Sequence, residues 1–311
     1  MKDTLKIAAA QLRPVWLDPR RTADKVLATI EAAAKDGVEL LAFPETYLAG
    51  YPFWICRTNG AAFEDPRQKR AYAQYLEAAV EIGSPLVSEI SQAAQDHNIA
   101  VWLGMNERGA RAGRGTVYCT LATFLPEQGL VGAHRKLVPT HDERLCWGFG
   151  DARDLRAHGL RDWRVGGLNC WENLMPLART ALYADGEDLH VSVWPGNPSV
   201  CADAPRVAAM EGRMWSLAVS GLLSLDDVGD DFEFKKDLAE QGVTTIFSGG
   251  SRIVDPTGET VAMALDGEET LLVRDVSLSA VREARMSFDP CGHYARDDVF
   301  TLSVARRRAG D

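Results

Sequence analysis

The sequence predicts an α/β protein in which helices cover β-sheets. In the first half of the chain, short apolar segments alternate with amphipathic ones, and short strand-like segments separated by turns follow later. Strands that alternate with helices form parallel pairs, because the chain crosses over the sheet between them. We find no solenoid repeat and no Ser/Gly/Pro-rich linker in the 311 residues. We therefore expect one domain over residues 1–311, with a short tail from about 305.

The first unit has the pattern strand, helix, strand. The apolar segment Lys6–Leu12 predicts a strand. Asp18 then supplies a helix N-cap, with Pro19 at the first helical position. Apolar residues at helical spacing continue until Gly37, and Val38–Phe43 predicts the second strand.

The rest of the chain continues the alternation and ends in a meander. An aromatic loop rich in Gly and Pro follows the second strand, and a loop of that length is usually functional. Helices are predicted to begin at Asp65-Pro66 and Ser84-Pro85, and to cover Met175–Ala184 and Val207–Ala218. Strands are predicted at Ile99–Met105, Val117–Phe124, Leu130–Ala133, Trp163–Asn169, Leu189–Val193, Gly221–Leu225, Thr244–Phe247, Arg252–Val254, Thr260–Ala264 and Leu271–Val276.

Charge and hydropathy exclude several classes of partner. Lys and Arg number 34 and Asp and Glu number 44, giving a formal net charge of −10. Proteins that bind nucleic acid or anionic lipid usually carry an excess of basic residues, so we expect neither of these as a partner. No apolar stretch approaches the roughly 18 residues of a membrane helix. The N-terminal residues lack a signal-peptide pattern, which favours the cytosol.

The six cysteines include no closely spaced pair. A zinc ribbon or a thioredoxin-like dithiol is therefore disfavoured, and we expect no metal. A reducing cytosol keeps such thiols free, and one of them could be a nucleophile.

Three reactive side chains follow predicted strands, where sites in α/β folds collect. Glu45 follows the second strand, Lys136 follows the hairpin and Cys170 ends a later strand. Because a thiol with pKa near 8.5 is mostly protonated at neutral pH, a carboxylate base and a nearby cation would activate it. Taken singly, each residue also fits a structural role: a solvated loop acid, a surface basic cluster or a buried cysteine.

The surrounding motifs resemble those of the nitrilase (carbon–nitrogen hydrolase) superfamily. They are Phe-Pro-Glu at Glu45, His-Arg-Lys-Leu-Val-Pro-Thr at Lys136 and Asn-Cys-Trp-Glu-Asn at Cys170. The resemblance extends from about Lys6 to Val304. Tryptophan rather than tyrosine after the cysteine favours the nitrilase branch.

The resemblance implies a four-layer α-β-β-α sandwich with two mixed β-sheets. It implies hydrolysis of an organic nitrile through a covalent thioimidate and thioester on Cys170, with Glu45 as general base. Lys136 and the backbone N–H of Trp171 would stabilise developing charge, and Glu143 would orient Lys136 or water. No cofactor is implied. Homodimers or higher homo-oligomers are implied, with Met175–Ala184 in the subunit contact.

Substrate contacts and the exact reaction stay open at this point. The further residues expected around the substrate are Tyr51, Trp54, His141, Trp147, Trp194, Pro195 and Asn197. An amidase or carbamoylase, or a cyanide or nitrile hydratase, would use the same fold. A binding protein without turnover is the alternative of another class. The chain departs from the family pattern at Phe149, Ala152 and Asp297, which bear on loop shape rather than on the catalytic groups.

Overall fold

The computed structural model describes residues 3–307, so residues 308–311 of the predicted tail lie outside the described range. Its first sheet has the strand order β14-β1-β2-β3-β4-β5. The pairs β1–β2 and β2–β3 are parallel and the other pairs are antiparallel. The strands are β1 (Thr4–Gln11), β2 (Leu40–Ala42), β3 (Ala100–Arg108), β4 (Val117–Leu125), β5 (Gly129–Arg135) and β14 (Thr270–Ser277).

The second sheet has the order β13-β12-β9-β8-β7-β6. Its central pairs β7–β8 and β8–β9 are parallel, so it is also mixed. Its strands are β6 (His158–Leu160), β7 (Trp163–Asn169), β8 (Leu189–Trp194), β9 (Trp215–Ser220), β12 (Arg252–Val254) and β13 (Thr260–Met263). A separate antiparallel pair consists of β10 (Leu222–Ser224) and β11 (Thr245–Ser248).

The helices begin where the capping signals predict. Asp18 accepts a hydrogen bond from the backbone N–H of Arg21, and Asp65 and Ser84 cap the next two helices in the same way. The helices are α1 (Pro19–Lys35), α2 (Pro66–Ala78), α3 (Pro85–Asp96), α4 (Pro176–Ala184), α5 (Val200–Gly212), α6 (Lys235–Glu240) and α7 (Leu278–Arg285). Within residues 3–307, no helix combines the length and apolar character needed to cross a membrane.

The side chains of β1 show how the layers form. Ile7 and Ala9 point into the core between the two sheets, whereas Ala8 and Ala10 point outward against α1 and α3. On the second sheet, Leu168 packs against α4 and Trp194 packs against α5. The order helix, sheet, sheet, helix confirms the predicted four-layer α-β-β-α sandwich.

The predicted helix Val207–Ala218 is wrong in its second half. Helix α5 starts earlier and stops at Gly212, and residues 215–218 belong to β9. Arg213 adopts a left-handed conformation with φ 48°, which ends the helix without the glycine that usually marks such an end. Every residue of β9 is buried, so its apolar run does not alternate and resembles a buried helix. The sequence prediction also missed β6, α6 and α7.

Candidate active site

The predicted catalytic residues converge where strands of the two sheets end. Glu45 lies three residues beyond β2, Lys136 directly follows β5 and Cys170 directly follows β7. The backbone N–H of Glu45 donates to the carbonyl of Trp194, the last residue of β8, over 3.3 Å. This bond ties the Glu45 loop of the first sheet to the second sheet.

A glycine makes room for the Glu45 loop. A Cβ on Gly104 of β3 would lie 2.0 Å from the carbonyl oxygen of Pro44 and 2.7 Å from the Cα of Glu45. Such contacts are too short for any other residue, so Gly104 allows the loop to lie against β3. The position of the carboxylate therefore depends on a residue in the middle of a neighbouring strand.

The ammonium group of Lys136 lies between two carboxylates. Its Nζ donates to Glu45 Oε1 at 3.0 Å and to Glu143 Oε2 at 2.7 Å. All three side chains are buried, with 5% exposure or less. Glu143 also accepts bonds from the backbone N–H of Thr140 and the hydroxyl of Tyr51. One buried ammonium group thus serves two buried carboxylates.

Cys170 begins a short 3₁₀ turn and has a strained backbone. Its φ is 48°, in the left-handed region that residues other than glycine seldom adopt, and such strain is concentrated at functional sites. The amide of Asn173 donates to the Cys170 carbonyl at 2.7 Å. The Cys170 sulfur and carboxylate oxygens of Glu45 and Glu143 all lie within 4.8 Å of one another.

Burial is the largest single influence on the pKa values of this cluster. It raises the pKa of Glu45 to about 7, with repulsion from Glu143 adding to the effect and Lys136 opposing it. Burial and the nearby Glu45 raise the pKa of the Cys170 thiol well above its ordinary value, against opposition from Lys136 and the backbone N–H of Trp171. Burial lowers the pKa of Lys136, but Glu45 and Cys170 outweigh it and raise the pKa. Near neutral pH the arrangement therefore holds a protonated thiol, an ammonium group and a half-ionised carboxylate.

The same donor atoms could in principle hold a metal ion, since two carboxylates and a thiol converge. The Lys136 ammonium already donates to both carboxylates, so a cation from the protein itself fills that role. A reaction without a metal stays a prediction.

A cavity of about 280 Å³ opens onto the thiol. Sequence-predicted residues in its wall are Tyr51, His141, Glu143, Cys170, Trp171, Trp194, Pro195 and Asn197. The wall also includes residues that the sequence did not indicate, among them Arg57, Ile246 and Phe247. Their segments are far apart in the chain, so spacing alone gave no signal for them.

Two of the predicted substrate residues lie elsewhere. Trp54 is buried in an aromatic cluster, with its ring centroid 5.3 Å from that of Tyr75. Trp147 donates its indole N–H to the Tyr75 hydroxyl at 2.9 Å. Its ring centroid lies 5.3 Å from Lys136 Nζ, so Trp147 contacts the lysine rather than the cavity.

Sequence reasoning also missed Cys119 of β4, which lies beside the carboxylate. Its thiol donates to Glu45 Oε1 over 3.4 Å. Of the departures from the family pattern, Phe149 and Asp297 are exposed, and Ala152 packs beside a buried cluster that includes Leu155.

A buried thiol, carboxylate and ammonium group between two mixed sheets is an arrangement suited to a hydrolase with a cysteine nucleophile. The chain belongs to the carbon–nitrogen hydrolase family, whose model matches residues 6–286. It is 36% identical to an aliphatic nitrilase of Rhodococcus rhodochrous over 98% of this chain and 84% of that protein. It is 34% identical to an aliphatic nitrilase of Sinorhizobium fredii (strain HH103), over 96% of this chain and 95% of the relative.

Solved structures show the same fold. Nit3 of Saccharomyces cerevisiae, a member of branch 10 of the nitrilase superfamily, superposes with a TM-score of 0.73. The match covers 96% of this chain and 97% of Nit3 at 17% sequence identity. The four-layer architecture is therefore shared with a protein of low sequence similarity.

Proposed function

We propose that this protein hydrolyses an organic nitrile to a carboxylic acid and ammonia. The observation that carries the proposal is the juxtaposition of the Cys170 sulfur with the Glu45 and Glu143 carboxylates, all within 4.8 Å. Similarity to proteins named aliphatic nitrilase, over nearly the whole chain, supports nitriles as the substrate class.

In the first half of the reaction, Glu45 accepts the thiol proton of Cys170. The sulfur attacks the nitrile carbon, a C–S bond forms and one C–N π-bond breaks. The proton held by Glu45 passes to the nitrogen and leaves a thioimidate. Lys136 and the backbone N–H of Trp171 stabilise the negative charge that develops on the nitrogen.

In the second half, two waters complete the hydrolysis. The first adds to the thioimidate carbon with its proton taken by Glu45. Glu45 passes that proton to the nitrogen, the proton of the new hydroxyl group follows, the C–N bond breaks, ammonia leaves and a thioester remains. The second water adds in the same way, the C–S bond breaks and the acid leaves. The thiol recovers its proton, and Glu143 keeps Lys136 oriented throughout by the bond of 2.7 Å.

The cavity supports an apolar organic substrate in preference to free cyanide. Its walls near the thiol include Tyr51, Trp194, Ile246 and Phe247. Apolar and aromatic walls with a few polar groups are typical of sites for small organic ligands.

We further propose a homodimer or higher homo-oligomer formed through α4 and its neighbours. Leu177 is 69% exposed and Leu174, just before the helix, is 44% exposed. Apolar side chains exposed side by side are a typical subunit contact. We also propose that residues 1–311 form one domain and that the compartment is the cytosol, whose reducing conditions suit six free cysteines.

The test combines product analysis with trapping of the intermediate. A panel of aliphatic and aromatic nitriles, cyanide and the matching amides is offered, and ammonia, acid and amide are measured. Intact mass should show substrate-derived adducts on the wild type and none on Cys170→Ala, while Cys291→Ala, which removes an exposed thiol, should behave as wild type.

Each outcome has a distinct meaning. Normal turnover by Cys170→Ala would overturn the mechanism. Faster ammonia release from amides than from any nitrile would indicate an amidase, and accumulation of amide would indicate a hydratase. Absence of adduct and turnover with the whole panel would favour a binding protein.

A further inference from the structure

Glu172, two residues after the predicted nucleophile, is a buried carboxylate with bonds to two catalytic loops. Its Oε1 accepts the backbone N–H of Leu137 at 2.8 Å, and its Oε2 accepts the backbone N–H of Asn169 at 3.0 Å. Leu137 directly follows Lys136, and Asn169 directly precedes Cys170. One side chain thus joins the loop that follows β5 in the first sheet to the end of β7 in the second.

Two further bonds of the Lys136 and Cys170 loops act within their own sheets. The backbone N–H of Lys136 donates to the carbonyl of Cys119 on β4, at 2.8 Å. The carbonyl of Cys170 accepts from Asn173 in its own turn. Neither bond fixes one loop relative to the other, whereas the two bonds of Glu172 do.

His134 on β5 completes the arrangement. Its Nε2 lies 3.0 and 3.1 Å from the two oxygens of Glu172, and both side chains are buried. Burial lowers the pKa of His134, but Glu172, with smaller contributions from Asp154 and Asp151, outweighs it and raises the pKa. Burial raises the pKa of Glu172, but His134 and the two backbone N–H groups outweigh it and lower the pKa. The Glu172 carboxylate is therefore held as a double acceptor of the two backbone N–H groups.

We propose that Glu172, paired with His134, is a positioning residue that fixes the Lys136 ammonium relative to the Cys170 thiol. The inference rests on the proposed use of Cys170 as the nucleophile and adds the group that sets its distance from the lysine. Misplacing a catalytic group by about 1 Å can cost about 100-fold in rate.

Glu172→Gln is the direct test. A glutamine has the same shape, but its NH₂ group would face one of the two backbone N–H donors, so one of the bridging bonds is lost. The matched control is Asp188→Asn, which changes another buried carboxylate. Asp188 accepts hydrogen bonds from the backbone N–H of Arg164 and from the side chain of Arg285. It lies just before β8, at the opposite end of that strand from Trp194.

Two measurements separate positioning from simple loss of stability. The first is kcat and KM for the best nitrile, and the second is the rate of Cys170 alkylation by iodoacetamide against pH, followed by peptide mass. Alkylation reports the thiolate without any turnover. It therefore decides the role of Glu172 even if the wild type proves inactive on every nitrile, which would count against the proposed function alone.

For Glu172→Gln we expect kcat to fall about 100-fold with KM changed less than about threefold. Alkylation of Cys170 should be about tenfold slower near pH 8 than in the wild type. Its rate should begin to increase at a higher pH, because a displaced ammonium group stabilises the thiolate less. Asp188→Asn should have a kcat and a Cys170 alkylation rate within about twofold of the wild type, even if its melting temperature changes.

The proposal would be overturned if folded Glu172→Gln kept the kcat and the Cys170 alkylation rate of the wild type. It would also be overturned if Asp188→Asn lost as much kcat and alkylation rate as Glu172→Gln. If Glu172→Gln does not fold, His134→Gln decides, because it removes the titratable imidazole and keeps an N–H donor. We expect its kcat to fall about tenfold with an upward shift in the alkylation profile. An unchanged profile in that variant would equally overturn the role of the pair.

Discussion

Replacing Glu45 with glutamine should inactivate the protein and remove a loss of stability that the wild type suffers as pH rises. Glu45 is 2% exposed, and its Oε2 has no hydrogen-bond partner among the described residues. Burial raises its pKa from the ordinary 4.5 to about 7. Between pH 4.5 and about pH 7, Glu45 holds a proton in the folded protein that it has released in the unfolded chain. The free energy of unfolding therefore falls as pH rises through this window.

The size of the effect follows from the shift. At about 1.4 kcal/mol per pKa unit, ionising Glu45 costs the fold about 3 kcal/mol over the full window, of which about 2 kcal/mol falls between pH 5 and pH 8. A glutamine never ionises, so Glu45→Gln avoids this cost. Its kcat should fall about 100- to 10,000-fold because the general base is lost.

Urea unfolding of the wild type and Glu45→Gln at pH 5 and pH 8 measures the effect. The stability difference should move by about 2 kcal/mol in favour of the variant as pH rises. Titrations shared by both proteins cancel in this comparison. Glu127→Gln, at an exposed position in the β4–β5 turn, is the matched control for the loss of one carboxylate. A difference for Glu45→Gln that stays constant from pH 5 to pH 8 would refute the reasoning.

Three further predictions concern the same site and the α4 surface. The wild-type kcat/KM should fall as pH decreases through about 7, because Glu45 must be ionised to accept a proton; a steady-state pH profile that stays flat from pH 6 to 8 would contradict this. Tyr51→Phe removes the hydroxyl that donates to Glu143 Oε1 at 2.7 Å, and should lower kcat/KM about tenfold in steady-state kinetics, since Glu143 then loses one constraint. Leu177→Glu should convert the proposed dimer to a monomer in gel filtration with light scattering; a dimeric mass for the variant would exclude α4 from the contact.

The candidate catalytic residues could be proposed from sequence because strand ends are visible there. Short apolar runs ending at Phe43, Ala133 and Asn169 predicted strands, and parallel strands bring their carboxyl ends to one edge. The geometry agrees, because Lys136 bonds Glu45, which lies 91 positions earlier in the chain. The positions of the aromatic residues were harder to predict. A tryptophan in a loop has the same sequence pattern whether it lies in a cavity wall or in the core. Trp194 lies in the wall and Trp54 lies in the core.

Contacts between the sheets could not be predicted from spacing. Cys119 lies beside Glu45 because β4 runs next to β3, against which the Glu45 loop packs, and that adjacency appears only in the folded sheet. His134 looked like part of a basic cluster next to Lys136. Strand alternation places it on the face opposite to its neighbour Arg135, where it meets Glu172 from the other sheet.

Two glutamates at this site illustrate how one side chain type acquires opposite properties. Both Glu45 and Glu172 are buried and each faces a basic side chain. Glu172 also accepts two backbone N–H groups, and its pKa is lowered; Glu45 has one oxygen without a partner in the described chain, and its pKa is raised. A fully bonded carboxylate cannot take up a proton readily, so it suits a positioning role. An under-bonded carboxylate retains proton affinity near neutral pH, which is what a general base for a buried thiol requires.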